Sequence, residues 1–513
     1  MGMKYKIYFG VTLSFISLHG FSADKIDSSS AISSKVTHAG ECVELFNNSV
    51  PDKYQTLLIQ SFNYKGDLVK KPFLQLEKGA KTCTTFSKNG YYQLNYYDEN
   101  KNLFQTYIAV LPIVSFSNEN MGVVTHFGNL KKNSDPDIIF PMIKAAGISW
   151  IRDELYWQDI EKEKGTFTFP KKYDDYISSS NKDGIKALIV LNYGNRNYGG
   201  TQSIKNSIPP FLSYVENVVK RYGKFVNHWE VWNEPKPSLF GTASWEGYAK
   251  FLEQVYLKIK ELQSDSVVIA CGGGGAGGGP GGDCVKNIIK YKGAHIFDAF
   301  SIHPYLTKSP EIGYSSFNSP FKNFGGYVNA DTVSRLLTSF DKNNLAKNGT
   351  KFPVYITEIG WPSSSKKSLN TDKLQASYAV RFYLLIKKYD IYPVVFWYDF
   401  RNDGTQAENQ EHNFGLVRND YSPKMSYVAL ATFNNVLAGY HWDKEIVNKN
   451  NVVINQYSRG KSIIQVGWTL DDEEHMANIS SDTKKIIDWQ GNELDINDSS
   501  WFLSPLPSYR KIR

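Results

Sequence analysis

A (β/α)8 barrel flanked by two small β-sandwiches is the α/β architecture this sequence predicts, and three observations predict it. Eight short apolar runs recur between residues 117 and 440, with helical patterns between them. The stretches before and after that region read as short strands broken by turn residues. The chain has 513 residues, a length that suits about two to four domains.

Composition removes several function classes. Hydrophobic residues make up 41% and charged residues 21%, so the bulk of the chain is neither disordered nor fibrous. No apolar run approaches the ~20 residues of a membrane-spanning helix, which excludes a multi-span membrane protein. Net charge is +7, but Lys and Arg are scattered, so no nucleic-acid partner is expected. The aromatic fraction of 14% suits flat sugar rings and ordinary cores alike.

Residues 1–23 read as a signal peptide. Lys4 and Lys6 precede an apolar stretch from Ile7 to Leu18, and the small residues Gly20, Ser22 and Ala23 follow. The polar, Ser-rich run from Asp24 to Ser34 resembles the start of a mature chain. The expectation is an exported protein, periplasmic or extracellular, with no integral membrane segment after processing. The four cysteines, Cys42, Cys83, Cys271 and Cys284, suit an oxidising compartment. Three pairings are possible; proximity favours Cys271–Cys284 with Cys42–Cys83. No CxxC and no clustered His accompanies them, which argues against a metal site; neither a metal nor an organic cofactor is expected.

The N-terminal domain spans 24–116. Gln55–Phe62, Tyr91–Tyr97 and Leu103–Val110 are rich in β-branched and aromatic residues, and Lys65-Gly66-Asp67 and Asp98-Glu99-Asn100 supply turns. The barrel spans 117–440. Its strands are expected at Gly122–Phe127, Trp150–Asp153, Ala187–Leu191, Asn227–Trp232, Val267–Cys271, Ala299–His303, Val354–Thr357 and Val394–Trp397. Between them, Tyr248, Phe251, Leu252, Val255, Tyr256, Ile259 and Leu262 share one face at helical spacing. Asp135-Pro136 is a helix start, with a capping carboxylate and Pro in first position. An open doubly wound sheet is the rival, but Phe127-Gly128-Asn129-Leu130 lacks its dinucleotide fingerprint. The C-terminal β-sandwich spans 441–513, with a hairpin turn at Asp488-Trp489-Gln490-Gly491-Asn492.

Active groups of such barrels stand at the C-terminal ends of the strands. Strand 4 ends in Trp232-Asn233-Glu234-Pro235 and strand 7 in Thr357-Glu358-Ile359-Gly360-Trp361. Each delivers a glutamate to the same mouth. Two facing carboxylates are the minimum equipment for cutting a glycosidic bond: one protonates the leaving oxygen, the other attacks the anomeric carbon. Either motif alone is weak, because Asn-Glu-Pro is a common helix start; both on the expected strands make a specific signal.

These residues resemble the clan A glycoside hydrolases, the large (β/α)8 clan of retaining enzymes, over residues 117–440. The flanking β domains resemble glycoside hydrolase family 39 and the exopolysaccharide-degrading PslG-type enzymes. The resemblance implies Glu234 as general acid/base and Glu358 as nucleophile. It implies that Asn233 bonds the sugar 2-hydroxyl, that Arg152 keeps Glu358 ionised, and that His303 and Tyr305 orient the two carboxylates. It implies Trp397 as the floor beneath the sugar, and His126 and Asn192 as ligands of sugar hydroxyls. The expected function is retaining hydrolysis of a polysaccharide, first of all a bacterial exopolysaccharide, by a monomer. The alternatives are a carbohydrate-binding or scaffold protein that no longer cleaves, and a transglycosylase.

Other residues have plainer readings. Glu230 is expected as an ion-pair partner inside the barrel. Glu154, Glu161, Glu163 and Glu411 are expected as solvated loop charges. Trp157, Trp245 and Trp361 suit a groove or a core. The glycine run from Gly272 to Gly282 lacks the Lys and hydroxyl of a phosphate loop; it suits either close passage of a polymer or an idle loop. Asn47, Asn348, Asn478 and Asn497 begin Asn-X-Ser/Thr triplets.

Overall fold

A computed structural model describes residues 35–45, 54–69, 73–75, 83–101, 103–113, 117–132, 134–241, 244–273, 282–306, 308–311, 352–364, 370–388, 392–479, 481–496 and 500–512. The signal-peptide segment, most of the glycine run and the triplets at Asn47, Asn348 and Asn497 lie outside these.

Eight parallel strands close into a barrel in sequence order. They are Asn118–Val124, Ile148–Tyr156, Lys186–Asn192, His228–Val231, Val267–Ala270, Ala299–Ile302, Val354–Ile359 and Val395–Trp397. Helices Pro136–Ala145, Lys171–Lys182, Ile208–Tyr222, Glu246–Leu262, Gly282–Lys292, Asp372–Ile386 and Met425–Leu437 lie between and after them. The helix at Pro136 begins as its sequence demands. Asp135 is extended and accepts from the Asp137 amide, a cap worth about 1 kcal/mol. Pro141 sits inside this helix without ending it.

Side chains alternate across each strand, and the two faces form two cores. Val124, Trp150, Leu188, Val190, Ile269, Ala299, Tyr355, Val394 and Phe396 fill the barrel. The outward set, with Trp229, Val231, Ile356 and Trp397, packs beneath the helices. In the helix Glu246–Leu262, Tyr248, Phe251, Leu252, Val255 and Ile259 are buried against that layer.

Before the barrel, Tyr54–Phe62, Gly90–Asp98 and Leu103–Leu111 form the centre of a six-stranded sheet, largely antiparallel. Cys42–Glu44 pairs with Cys83–Thr85 beside it. After the barrel, His441–Lys449, Val452–Arg459, Ser462–Thr469 and Ser508–Lys511 build another antiparallel sheet. The turn at 488–492 forms as expected: the Asp488 amide donates to the Asn492 carbonyl at 2.9 Å. Cys42–Cys83 and Cys271–Cys284 are disulfides. Among the described residues no helix is long and apolar enough to cross a membrane.

The second barrel strand runs three residues further than the sequence suggests, to Tyr156. This corrects the reading of Glu154, which is on the strand and not in a loop. It accepts from Asn192 Nδ2 at 3.0 Å and from the Tyr156 hydroxyl. Glu161 is also corrected. It is 1% exposed and takes hydrogen bonds from Trp157 Nε1, the Tyr198 hydroxyl and the Gly165 amide at 2.5, 2.5 and 2.7 Å. Each carboxylate combines near neighbours in sequence with one distant partner, Asn192 for Glu154 and Tyr198 for Glu161, that a local reading cannot see.

Candidate active site

The exit of strand 4 makes a sharp turn. Trp232 and Glu234 have φ of 72° and 45°, left-handed values that non-glycine residues adopt only under tertiary constraint. The turn sends Trp232 into the outer core and leaves Asn233 and Glu234 at the mouth. The Glu234 amide donates to the Gly272 carbonyl at 2.6 Å, which ties this turn to the exit of strand 5. Two glycines are required there. A Cβ on Gly272 would lie 1.8 Å from the Trp232 carbonyl oxygen, and one on Gly273 would lie 2.3 Å from the His303 ring. The first two glycines of the run therefore serve close packing beneath the site.

Arg152 is the hub. Its guanidinium donates from Nε to Glu230 at 2.6 Å, to Glu358 Oε1 at 2.8 Å and to Asn233 Oδ1 at 2.8 Å. Burial works against its charge, but Glu230, Glu358 and Glu154 hold it protonated beyond the usual arginine. Glu230 is fully buried and also accepts from Ser301 at 2.5 Å, the inward ion-pair partner its strand parity suggests. Tyr305 donates to the other oxygen of Glu358 at 2.8 Å. Burial, then the negative charge of Glu358, keeps the Tyr305 phenol protonated far above its ordinary range.

His303 stands between the two carboxylates. Its Nδ1 lies 3.1 Å from Glu234 and 3.5 Å from Glu358, and its Nε2 lies 3.0 Å from the Thr357 hydroxyl. The hydrogen bond from His303, against the opposing effect of burial, holds the Glu234 carboxyl below its ordinary value; the charges of His303, Arg152 and Lys236 add to this. One oxygen of Glu234, one of Glu358 and a His303 nitrogen lie within 4.8 Å of one another. The Glu234 side chain is 50% exposed and that of Glu358 12%. The first faces water; the second sits at the bottom of the mouth.

Two sequence-predicted residues need adjustment. Trp397 is fully buried; its Nε1 donates to the Phe414 carbonyl and its ring stacks on Trp361. It offers no face to a sugar, because it alternates outward from Phe396. The next residue, Tyr398, points inward: it is half-buried, against Tyr305 and His126, whose ring centroids lie at 6.2 and 5.7 Å. Asn192 is brought to the site but lies beneath its surface at 0% exposure, holding Glu154. Tyr193 is the more exposed neighbour and accepts from Asn233 Nδ2 at 3.0 Å. His126 reaches the mouth, with its Nε2 3.7 Å from both Asp399 and Asp403. Burial, then the charge of Lys132, keeps its imidazole below the ordinary value. Trp157 and Trp361 are core residues, and Trp245 packs against Tyr248.

Sequence reasoning missed Tyr398, Tyr193, Glu154, Asp399 and Asp403. Once barrel closure places Phe396 in the interior, a period-2 count from it reaches Tyr398. His126, Asp399 and Asp403 are also close enough to share a metal ion. The Lys132 ammonium already pairs with Asp403 there, which puts a resident cation where an ion would go.

A closed (β/α)8 barrel with two glutamates on strands 4 and 7 defines the clan A class of retaining glycoside hydrolases. The family model described as Cellulase (glycosyl hydrolase family 5) matches residues 114–404, more than half of the chain. The chain belongs to this glycosyl hydrolase family, and in overall structure it is family 39-like. A family 39 glycoside hydrolase from the gut symbiont Bacteroides cellulosilyticus WH2 superposes with a TM-score of 0.78 at 28% identity, over 93% of this chain and 99% of that one. A GH39 β-xylosidase from Caulobacter crescentus shares the fold, with a TM-score of 0.54 at 14% identity over 79% of this chain and 97% of that one. No curated protein matches the sequence.

Proposed function

We propose that the protein is an exported retaining β-glycosidase that hydrolyses a polysaccharide, first of all a bacterial exopolysaccharide, with Glu358 as nucleophile and Glu234 as general acid/base. One observation carries this reading: carboxylate oxygens of Glu234 and Glu358 approach within 4.8 Å. Retaining enzymes hold their two carboxyl groups about 5–5.5 Å apart, whereas inverting enzymes need roughly 6.5–9.5 Å to seat a water between them.

In the first step a Glu358 oxygen bonds to the anomeric carbon as the bond to the leaving oxygen breaks. The Glu234 proton goes to that leaving oxygen. In the second step Glu234, now ionised, takes a proton from water as the water oxygen displaces Glu358. Arg152 and Tyr305 each hold one oxygen of Glu358, which fixes the direction of attack. Asn233, tethered by Arg152 and Tyr193, is placed beside the nucleophile to meet the 2-hydroxyl.

Glu234 must carry a proton to act as acid, yet His303 favours its charged form in the free protein. The tautomer of His303 resolves this. With Nδ1–H facing Glu234 the carboxylate is favoured; with Nε2–H donating to Thr357, Nδ1 becomes an acceptor for protonated Glu234. A sugar covering the half-exposed Glu234 removes water and favours the neutral form. The same histidine thereby serves both steps.

The two disulfides support export. His126 and Asp403, at the rim beside Tyr398, are assigned to sugar hydroxyls. The test is incubation with activated aryl β-glycosides and a panel of purified polysaccharides, with mass analysis of fragments. Turnover supports the reading. Binding without turnover supports the scaffold alternative, and longer products support transglycosylation.

A further inference from the structure

The segment after strand 6 carries two of the groups that touch the carboxylates, His303 and Tyr305. Two residues further along it, Lys308 and Glu311, are held by groups that do not touch either carboxylate. The Lys308 carbonyl accepts from Trp361 Nε1 at 2.9 Å. Glu311, 4% exposed, is gripped by Arg381 through Nε at 2.7 Å and through a second guanidinium nitrogen. Arg381 lies in the helix Asp372–Ile386, after strand 7. The third partner comes from outside the barrel: Trp468, in the C-terminal sheet, donates its Nε1–H to Glu311 at 2.9 Å and is fully buried. A second link runs beside it. Ser377 accepts from Arg381 at 3.1 Å and donates to the Pro505 carbonyl of the C-terminal region at 2.6 Å.

From this geometry we infer that the C-terminal sheet takes part in catalysis, with Trp468 as a positioning residue that fixes the His303–Tyr305 segment through the Glu311–Arg381 clamp. The inference rests on the proposed roles of Glu234 and Glu358. A carboxylate taken out of water needs all its acceptor sites filled, or it moves to find partners. Glu311 receives two bonds from the barrel and one from the C-terminal sheet, so its place depends on both. Glu311 lies six residues beyond Tyr305, with Trp361 pinning Lys308 between them. Slack at Glu311 reaches Tyr305 as a displaced hydroxyl, and displacements of that size at a reacting group are costly. The sheet touches neither carboxylate in the described residues, so its contribution is confined to placement.

The experiment is a double-mutant cycle between Trp468→Phe and Tyr305→Phe, read on an activated aryl β-glycoside that the wild-type protein cleaves. Trp468→Phe keeps an aromatic ring in the core but removes the indole N–H together with the pyrrole half of the indole, so the cycle with Tyr305→Phe is what separates lost positioning from lost packing. It is expected to lower kcat by about five-fold with KM changed by less than about two-fold, since the loss is in positioning and not in binding. In the Tyr305→Phe background the same substitution is expected to cost less than about 1.5-fold, because the group through which it acts is gone. Ser377→Ala, which cuts the parallel link, is expected to repeat the pattern in a smaller degree and replaces Trp468→Phe should that variant not fold. Equal kcat in wild type and Trp468→Phe overturns the inference. So does a loss that multiplies with that of Tyr305→Phe, which is the mark of independent destabilisation. Absence of turnover in the wild type overturns the functional reading instead, so the two failures are told apart.

Discussion

His303 Nδ1 lies 3.1 Å from Glu234 and 3.5 Å from Glu358, so one imidazole is within reach of both carboxylates across the barrel mouth. Removing the histidine removes the largest influence that lowers the Glu234 carboxyl. Glu234 then keeps its proton to higher pH. The basic limb of kcat/KM, where the general acid loses its proton, is expected to move to higher pH in His303→Ala, with kcat reduced. A pH–rate profile of the variant checks this; an unmoved limb, or one displaced downward, counts against the assignment.

Glu234→Gln and Glu358→Gln are expected to fold as the wild type does and to lose nearly all hydrolysis. For Glu234→Gln the loss is expected to be about 10²–10⁴-fold, the usual worth of a general acid/base. It should shrink for substrates whose leaving group departs without protonation. Full activity in either variant would remove that residue from the mechanism.

Arg152 joins buried Glu230, Glu358 and Asn233, so Arg152→Met leaves two carboxylates without their cation. Breaking a buried pair in this way costs about 3–5 kcal/mol. The expected result is a large drop in thermal midpoint together with loss of kcat, measured by calorimetry and steady-state kinetics. A variant that keeps wild-type stability would show that the network is not closed as described.

Trp397 and Tyr398 are neighbours in sequence with opposite places in the fold. Trp397→Ala should destabilise the protein by about 3–5 kcal/mol, as loss of a buried large aromatic does, with KM of the folded fraction little changed. Tyr398→Ala should raise KM and spare most of the stability. The reverse pattern would restore Trp397 as the sugar platform.

The misassignment at this point shows where a sequence reading stops. The barrel and its two glutamates are legible because each rests on local signals: apolar runs at regular spacing, and two motifs at strand ends. Val394 to Trp397 is apolar throughout, so nothing in it marks which side faces the sugar; closure of the barrel decides that, through Phe396 in the interior. Glu154 and Glu161 look like loop charges because one partner that buries each of them, Asn192 and Tyr198, lies 38 and 37 residues away. The Glu311–Arg381–Trp468 contact is illegible for the same reason: its members are spread over 70 and 157 residues. Arg152 is different, since the family resemblance places it; strand parity points Glu230 into the barrel, but that the two meet is visible only in the structure.

The most direct measurement is to trap the covalent intermediate. A panel of 2-deoxy-2-fluoro β-glycosides with activated leaving groups slows the second step more than the first, and peptide mass analysis locates the sugar. The account predicts one glycosyl adduct, on the peptide containing Glu358, and none in Glu358→Gln. An adduct on another residue, or turnover that releases the product with inverted anomeric configuration and no adduct at all, would contradict it.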